Sequence, residues 1–473
     1  MTPDIQHAPD EYDFSVETLI IGAGACGLVA ALAAHEAGQE VLVVEADPVP
    51  RGSTSLSAGL IPAAGTSFQH TAGIEDDPAR FAADIQAKAH DENDPALVRA
   101  MAEASGPTVD WLAQTYDLPF SVVDDFDYPG HSRRRMHGLP TRSGLELIDA
   151  LRAACETKGI DIICGRRART LYRDGDRVGG VGLDGPSGAE QVGCAKLILA
   201  CNGFGGNREM VAQHMPAIHD ALWFGHDGNR GEAVIWGNAL GAATRHLGAY
   251  QGHGNVAHPH GILITWAVIT EGGVQVNRDG LRFWNENQGY SEAARAVMSQ
   301  PGGEAFAIFD ARIAGVARQF ADFQEAEAQG AIKESETLEG LAGALGLPGD
   351  ILQQTVERLP VGSTDEFGRV FDRPALTSPY CGVRVTGALF HTQGGLQTDG
   401  AARVLRTDGT VFPNLYAGGG AACGVSGRGD SGYLSGNGLL AAVTLGRAAG
   451  MAPVIGPGDR RSRPAISRGR HPS

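Results

Sequence analysis

The 473-residue chain has seven cysteines and no Cys-x-x-Cys pair among them. That excludes the clustered thiolates of iron–sulfur centres, attached haem and zinc ribbons, and the scattered thiols point to a reducing compartment. Positive charge is scarce: 38 Lys and Arg stand against 55 Asp and Glu, a formal net charge of −17. Such a surface repels a phosphate backbone, so no nucleic-acid partner is expected. No apolar run reaches the ~18 residues that span a bilayer. Residues 1–14 are acidic and lack the basic and apolar regions of a secretion signal. The expectation is a cytoplasmic protein without a membrane span. Apolar residues at 42% and charged residues at 20% exclude disorder as the main state.

Glycine, by contrast, is abundant at 67 residues, about twice the ordinary usage of roughly 7%. It has no collagen-like period and so points to tight turns and close backbone approach to a ligand. The most informative stretch is VETLIIGAGACGLVAALAAHEAGQEVLVVEA, from residue 16 to 46. Its apolar runs predict a buried parallel strand over 16–21, an Ala-rich helix over 28–37 and a second strand over 41–44. Between strand and helix stand Gly22, Ala23, Gly24 and Gly27 in G-x-G-x-x-G spacing. Gly22 permits the turn, Gly24 lets backbone approach a pyrophosphate, and Gly27 lets helix and strand pack. Glu45 ends the second strand, where a carboxylate accepts the ribose hydroxyls of an adenosine. Strand, glycines, helix, strand and acid together predict a dinucleotide site.

At ~100–200 residues per domain, the length suggests two or three domains. Further α/β elements are predicted at 144–157 (helix), 160–163 and 177–183 (strands), and AKLILACNGFGGN at 195–207 is an apolar strand emptying into a glycine loop. From about 250 to 374 the pattern changes to mixed strands and charged helices, including 334–345 and 350–359, which reads as an insertion. Glycine-rich α/β character resumes at 387 and ends in a helix over 439–449. The tail beyond 456 carries five Arg between Arg460 and Arg470 and is expected to be disordered, with a basic docking arm as the alternative.

RGSTSLSAGLIPAAGT at 51–66 resembles the flavin-facing segment of the fumarate reductase and succinate dehydrogenase flavoprotein superfamily. Gly225-His-Asp-Gly228 resembles its TGDG segment, and YAGGG at 416–420 with SGNGLLAAVTLGRAAG at 435–450 resembles its C-terminal flavin signature. The resemblance spans roughly residues 16–450. It implies an α/β fold, with a Rossmann-like FAD-binding domain of GR2 type and an inserted α+β capping domain. The corresponding boundaries are a flexible N-terminus over 1–15, the FAD-binding domain over 16–248 and 375–455, the cap over 249–374, and a disordered basic tail over 456–473. The implied cofactor-binding residues are Gly22, Ala23, Gly24, Gly27, Glu45, Ala46, Ser53, Thr54, Ser57, Ala58, Gly59, Ala168, Asn202, Gly203, Asp227, Gly419, Gly420, Asn437, Gly438 and Leu439. No His lies in 51–66, where covalent linkage normally forms, so the FAD is expected to be non-covalent. Gly420 stands where many members carry a Glu.

The superfamily moves a hydride between flavin and one carbon of a C–C bond while a protein group handles the proton on the adjacent carbon. In fumarate reductases that group is an Arg beyond GKRFVNE, and a second Arg in RLGGN clamps a carboxylate. Here DGLRFWNENQGYSE at 279–292 puts Tyr290 at the first position, and Tyr433-Leu-Ser-Gly-Asn437 puts Tyr433 at the second. ITWAVITEGGVQVN aligns Thr265 with a substrate-facing Thr but puts Trp266 and Ile269 at the Glu and Arg of the proton relay. A dicarboxylate would lose its bidentate guanidinium. Tyr433-Leu-Ser435-Gly436 resembles the Tyr-x-Ser-Gly of 5α-type ketosteroid 4-dehydrogenases, which implies Tyr290 as base and Tyr433 with Ser435 as donors to a ketone oxygen. His391 in HTQGG resembles the HTMGG histidine, and His253, or His258 or His260 in another register, resembles the Q-x-H histidine; His253, Thr265 and His391 are substrate-contact candidates. HSRRRMHG at 131–138 steers an anionic substrate on one reading and is a solvated loop on the other.

The function these residues predict is FAD-dependent desaturation, or the reverse reduction, of a small-molecule cyclic or steroid-like ketone or keto acid, with an unknown electron acceptor. The alternatives are a reductase or dehydrogenase of a fumarate, urocanate or tricarballylate type acid, and an electron-transfer flavoprotein subunit.

Overall fold

The computed structural model describes residues 4–124, 128–430 and 432–455; the tail expected over 456–473 lies outside them. The described chain opens with β1 (Asp4–His7), which pairs in parallel with residues 170–173. The flexible segment expected over 1–15 is thereby corrected: Thr170 Oγ1 donates to Asp4 Oδ1 at 2.5 Å, and the Ala8 N–H donates to the Arg173 carbonyl. Edge pairing of a polar tetrapeptide leaves no periodic signal in the sequence.

β2 (Phe14–Ile21), α1 (Ala25–Glu36) and β3 (Val41–Val44) form the expected βαβ unit, with β2 and β3 parallel. α1 starts at Ala25, inside the glycine fingerprint, because a buried Ala-rich helix continues until the chain must turn. After α2 (Pro78–Lys88) and α3 (Gly144–Thr157) come β4 (Asp161–Ile163), β5 (Arg167–Asp174), β6 (Arg177–Gly185) and β7 (Gly188–Leu199), followed by α4 (Glu232–Leu240). The sheet runs β1-β5-β6-β7-β2-β3-β4.

A second sheet forms the cap. β8 (Tyr250–Ala257), β9 (Val274–Val276), α5 (Tyr290–Met298), β10 (Glu304–Asp310) and β11 (Tyr380–Thr392) supply it, with strand order β8-β11-β10-β9. Leu222–Trp223 and Lys333–Ser335 also pair with β11. The cap sheet thus reaches outside the expected 249–374 boundaries at both ends. Glycines of β11, read as the return of the first domain, have a local reason: a Cβ on Gly387 would sit 2.7 Å from the Ala294 carbonyl oxygen of α5. On β8, a Cβ on Gly252 or Gly254 would come within 2.6 and 2.3 Å of the Ala294 and Ala293 Cβ atoms. Glycine-lined strands therefore seat α5, and Tyr290 at its first position, close against the sheet. The helix expected over 334–345 is shortened to Leu338–Leu345, because Thr337 Oγ1 caps it by accepting from the Gly340 N–H and the preceding residues join β11.

The chain returns to the first sheet with β12 (Val411–Ala417), parallel to β7, and ends in α6 (Asn437–Met451). α6 crosses α1 at its own glycines: a Cβ on Gly446 or Gly450 would lie 2.6 and 2.3 Å from the Cys26 and Ala30 carbonyl oxygens. Separate apolar cores fill the first domain and the cap, and a smaller cluster including Phe204, Met215, Tyr250 and Leu389 joins them. Among the described residues no helix is long and apolar enough to cross a membrane.

Candidate active site

The nucleotide cradle begins at α1. Gly22 adopts φ 103°, and a Cβ there would lie 2.5 Å from the Ala200 carbonyl oxygen; one on Gly27 would lie 1.8 Å from the Gly22 carbonyl oxygen. Gly24 differs, since its nearest neighbour would be Thr54 Oγ1 at 3.6 Å, so its outer face is open. Gly24 is also the N-cap and gives no side-chain hydrogen bond, leaving N–H groups and the positive end of the helix dipole for an anion. Thr54 Oγ1 accepts from the Ala25 N–H at 3.0 Å, and Glu45 accepts from the Ala23 and Asp47 N–H groups at 2.8 and 2.9 Å, with Ala46 between. Ser57, Ala58 and Gly59 brace this segment on α3, where the Gly144 N–H donates to the Ser57 carbonyl at 2.8 Å.

The opposite wall is built by loops after β7 and β12. Ser53 Oγ accepts from Asn202 Nδ2 at 2.8 Å and Asn229 Nδ2 at 2.9 Å, and the Gly203 N–H donates to Asn202 Oδ1. Gly419 has φ 57°, and a Cβ on Gly420 would lie 2.0 Å from Asn202 Oδ1. The absence of a side chain at 420 is thus matched by Asn202 filling that space. α6 also starts without a side-chain cap, at Gly436 with φ 86°; Asn437, Gly438 and Leu439 are its first turn. Asn437 Oδ1 is buried without a partner. Ala168 is buried in β5 opposite Leu183 and offers only backbone to a ligand.

Asp227, expected at the cofactor, is exposed; a buried carboxylate of this region is Glu232, in the first turn of α4, whose Oε1 pairs with Arg167 at 3.4 Å and whose Oε2 has no partner. The Gly231 N–H donates to the Gly203 carbonyl at 3.1 Å, which sets Glu232 beside the loop that carries Asn202. An acid at a helix start, four residues beyond Gly228, was the available signal. Uncapped N-termini, the open face of Gly24 and orphaned polar oxygens fit a bound dinucleotide carrying a pyrophosphate.

Across from α6 lies a chamber of aromatic side chains. Tyr290 Oη and Ser435 Oγ are 3.0 Å apart. The His253 ring lies between Tyr290, at 5.2 Å and 19°, and Phe390, at 5.6 Å and 22°, while Trp266 meets it edge-on at 5.6 Å. Tyr433 packs edge-on to Tyr290 at 6.2 Å and to His391 at 5.6 Å. Sequence reasoning brings Tyr290, Tyr433, Ser435, His253 and His391 together as expected, but it passes over Phe390 and treats Trp266 only as a lost acid. Thr265 turns its hydroxyl to the Ala267 N–H at 3.3 Å, so its neighbour Trp266 faces the rings instead. His258 pairs with Glu304 at 3.4 Å, whereas His253 stands among the rings of Tyr290, Phe390 and Trp266.

Charge is held out of the chamber. Burial lowers the His253 pKa to about 3 and the His391 pKa to about 4, so both rings are neutral. His253 Nδ1 accepts from the Asn255 N–H at 3.1 Å, which makes Nε2 its donor. Asn437 Nδ2, Ser426 Oγ and Gln393 form a chain in which Gln393 Nε2 donates to His391 Nδ1 at 2.9 Å, again leaving Nε2–H as donor. Burial, then Tyr433, raise the Tyr290 pKa well above 10, and Ser435 lowers it. Burial also raises Tyr433, opposed by the nearby backbone of Gly436 and Gly438. Among the described residues no Arg or Lys perturbs Tyr433, His253 or His391.

The basic run at 131–138 is divided between surface and interior. Arg135 is buried and paired with Asp76 and Asp84, His137 Nε2 is 2.8 Å from Thr66 Oγ1, and His131 Nε2 is 3.0 Å from the Ser435 carbonyl. Arg133 and Arg134 are exposed, which both the steering and the solvated-loop readings allow, whereas Arg135, His137 and His131 are held inward by these bonds.

The chain matches the FAD binding domain family over residues 17–439. It is 32% identical over 448 residues to the probable fumarate reductase Ifc3 of Shewanella frigidimarina, covering 92% of this chain and 74% of that protein. It is 26% identical to the 4-oxocyclohexanecarboxylate 2-dehydrogenase of Sinomonas cyclohexanicum, covering 92% of this chain and 93% of that one. The open conformation of a flavocytochrome c3 fumarate reductase superposes with a TM-score of 0.80 at 31% identity, over 93% of this chain and 78% of that structure. The chain therefore belongs to the FAD binding domain family, as a flavin-dependent oxidoreductase of the fumarate reductase superfamily that acts on CH–CH groups.

Proposed function

We propose that this flavoenzyme interconverts a cyclic ketone, or keto acid, and its α,β-unsaturated form, with non-covalently held FAD. The observation that carries this reading is the neutral, aromatic character of the site: buried Tyr433 packs edge-on against Tyr290, whose hydroxyl pairs with Ser435. A hydroxyl donates to a ketone oxygen without needing a counter-charge, whereas a carboxylate calls for a guanidinium. Bound flavin supplies the hydride acceptor or donor at the carbon β to the carbonyl. In desaturation, Tyr290 as phenolate takes the α-proton and Tyr433 donates to the oxygen as negative charge develops there. In reduction, Tyr290 as phenol returns that proton. Ser435, paired with Tyr290 rather than standing free beside Tyr433, acts by stabilising the phenolate. His253 and His391 present neutral Nε2–H donors for a second polar group of the substrate.

The cradle holds FAD through Gly24, Thr54, Glu45, Ser53, Asn202, Glu232 and the first turn of α6. Non-covalent attachment is read from acid precipitation, which should leave the flavin in the supernatant. Anaerobic titration with cyclic ketones, oxocyclohexanecarboxylates and succinate, followed at about 450 nm, tests the substrate class. Bleaching by a ketone that is lost in Tyr290→Phe supports the reading. Similarity to fumarate reductases favours an unsaturated acid as the second reading; bleaching by succinate alone, or oxidation of the reduced flavin by fumarate but not by an enone, establishes that one instead.

A further inference from the structure

The Tyr290–Ser435 contact joins two domains that are cored separately. α2 is built into the first core through Phe81 and Ile85, whereas α5 is built into the cap through Ala293 and Val297. Within the cap, the Gly252 N–H donates to Ser291 Oγ at 3.0 Å. Lys88, the last residue of α2, crosses between the domains. Its ammonium donates to the Gln288 carbonyl at 2.9 Å and to Glu292 Oε1 at 2.5 Å, so it holds the chain two residues before Tyr290 and two residues after it.

The start of α5 is shaped for this contact. Gly289, its N-cap, has φ 129° and gives no side-chain cap; a Cβ there would lie 2.8 Å from Glu292 Oε2 and 3.5 Å from Lys88 Nζ. Bare backbone at 289 thus lets ammonium and carboxylate close over the turn. A cation gains nothing from the positive end of a helix dipole, so Lys88 is not there to stabilise α5. The Glu292 side chain is 4% exposed and that of Lys88 21%. An ion pair so far withdrawn from water adds little net stability after desolvation; what it supplies is a fixed register. A second pair follows along the helix, where Arg295 Nε donates to Asp430 Oδ2 at 2.6 Å, three residues before Tyr433. The helix start that carries Tyr290 is therefore tied to the FAD-binding domain at residues 288, 292 and 295.

We infer that Lys88 is a positioning residue, which sets the Tyr290 hydroxyl against Ser435 and the substrate by clamping the first turn of α5 to the FAD-binding domain. The inference rests on the proposed role of Tyr290. Misplacing a reacting group by about 1 Å costs up to ~10²-fold, so loosening the turn acts on kcat more than on KM.

The test uses the holoenzyme with the ketone or enone that turns over. Lys88→Met keeps the apolar stem and removes both bonds. It should lower kcat by ~10-fold, with KM within about threefold and flavin content unchanged. Hydrogen exchange over 286–298 should quicken while β10 keeps its protection. Lys88→Arg, which can donate to both acceptors, should recover most of the rate, and Glu292→Gln, which spares the Gln288 bond, should lose less than Lys88→Met. In a Tyr290→Phe background the further loss from Lys88→Met should be less than about twofold, because the clamp then positions nothing. An unchanged kcat in Lys88→Met, unchanged exchange over 286–298, or equal losses in both backgrounds overturns the clamp. Loss of protection in β10 to match that of 286–298 overturns it too, since the defect is then one of folding. Quickened exchange with an unchanged kcat in Tyr290→Phe marks failure of the functional reading instead, and the role of Lys88 in catalysis falls with it.

Discussion

Tyr290, on the first turn of a cap helix, meets Ser435, on the loop that opens the last helix of the FAD-binding domain, through hydroxyls 3.0 Å apart. The pair proposed to act in catalysis is therefore complete only when the two domains are together. Because the folded pKa of Tyr290 lies well above 10, the phenol dominates at neutral pH. Desaturation, which needs the phenolate, should accelerate as pH rises, and enone reduction, which needs the phenol, should stay level and fall only above that pKa. Tyr290→Phe should cost ~10²–10⁴-fold in either direction. Ser435→Ala, which removes a bond worth ~1 kcal/mol, should slow desaturation several-fold and move its alkaline limb to higher pH. An unmoved limb would show that the hydroxyl pair does not set the titration.

The fingerprint glycines should separate into binding and folding roles. Gly24→Val extends into the open face beside Thr54 and should leave the apoprotein folded but with little FAD. Gly27→Ala places a Cβ 1.8 Å from the Gly22 carbonyl oxygen and should lower the thermal midpoint of the apoprotein itself. Flavin-to-protein absorbance ratio and apoprotein melting, measured side by side, distinguish the two.

The nucleotide half of the molecule was legible because its determinants are local. Glycines, an apolar strand and a terminal acid fall in one continuous stretch, and β3 and α3 occupy the predicted residues. The chamber was half legible. Tyr290 and Tyr433 sit at fixed offsets from local motifs, so alignment finds them. Phe390 and Gln393 flank the HTQGG histidine and His131 opens the basic run, but their partners, His253, Ser426 and Ser435, lie in distant segments that meet them only after folding. Asp227 and Glu232 show the limit of a short motif: each is an acid near glycines, and burial alone tells them apart. The cap boundary was misplaced for a related reason, since glycines in β11 serve helix packing, which looks like a phosphate loop when only composition is read.

Gly420 and Asn202 should behave as a coupled pair. A side chain at 420 meets Asn202 Oδ1, while Asn202 Nδ2 holds Ser53. Gly420→Glu should therefore reduce FAD occupancy by displacing Asn202 and releasing Ser53. Adding Asn202→Gly, which suits the left-handed φ of 64° at that position, should restore much of the flavin content. Failure of the pair to recover any flavin would show that the two positions do not compete for one space.

Glu292, two residues beyond Tyr290, gives a pH signature of the folded chain. It is 4% exposed in its side chain and bonded to Lys88 of α2 at 2.5 Å, while its Oε2 has no partner. Burial raises its pKa to about 7 in spite of Lys88; Asp430, itself paired with Arg295 at 2.6 Å, adds to the rise. For a carboxyl whose folded pKa lies above its unfolded one, the contribution to stability is full below the unfolded value, near 4.3, and is lost as pH rises through 7. The parent should therefore lose stability between pH 5 and pH 8 by up to ~3 kcal/mol from this group, at 1.36 kcal/mol per unit. Glu292→Gln cannot titrate, so the difference in melting midpoint between pH 5 and pH 8 should shrink. An equal difference in parent and variant would mean that Glu292 is ionised throughout the range and acts only as the anchor for Lys88.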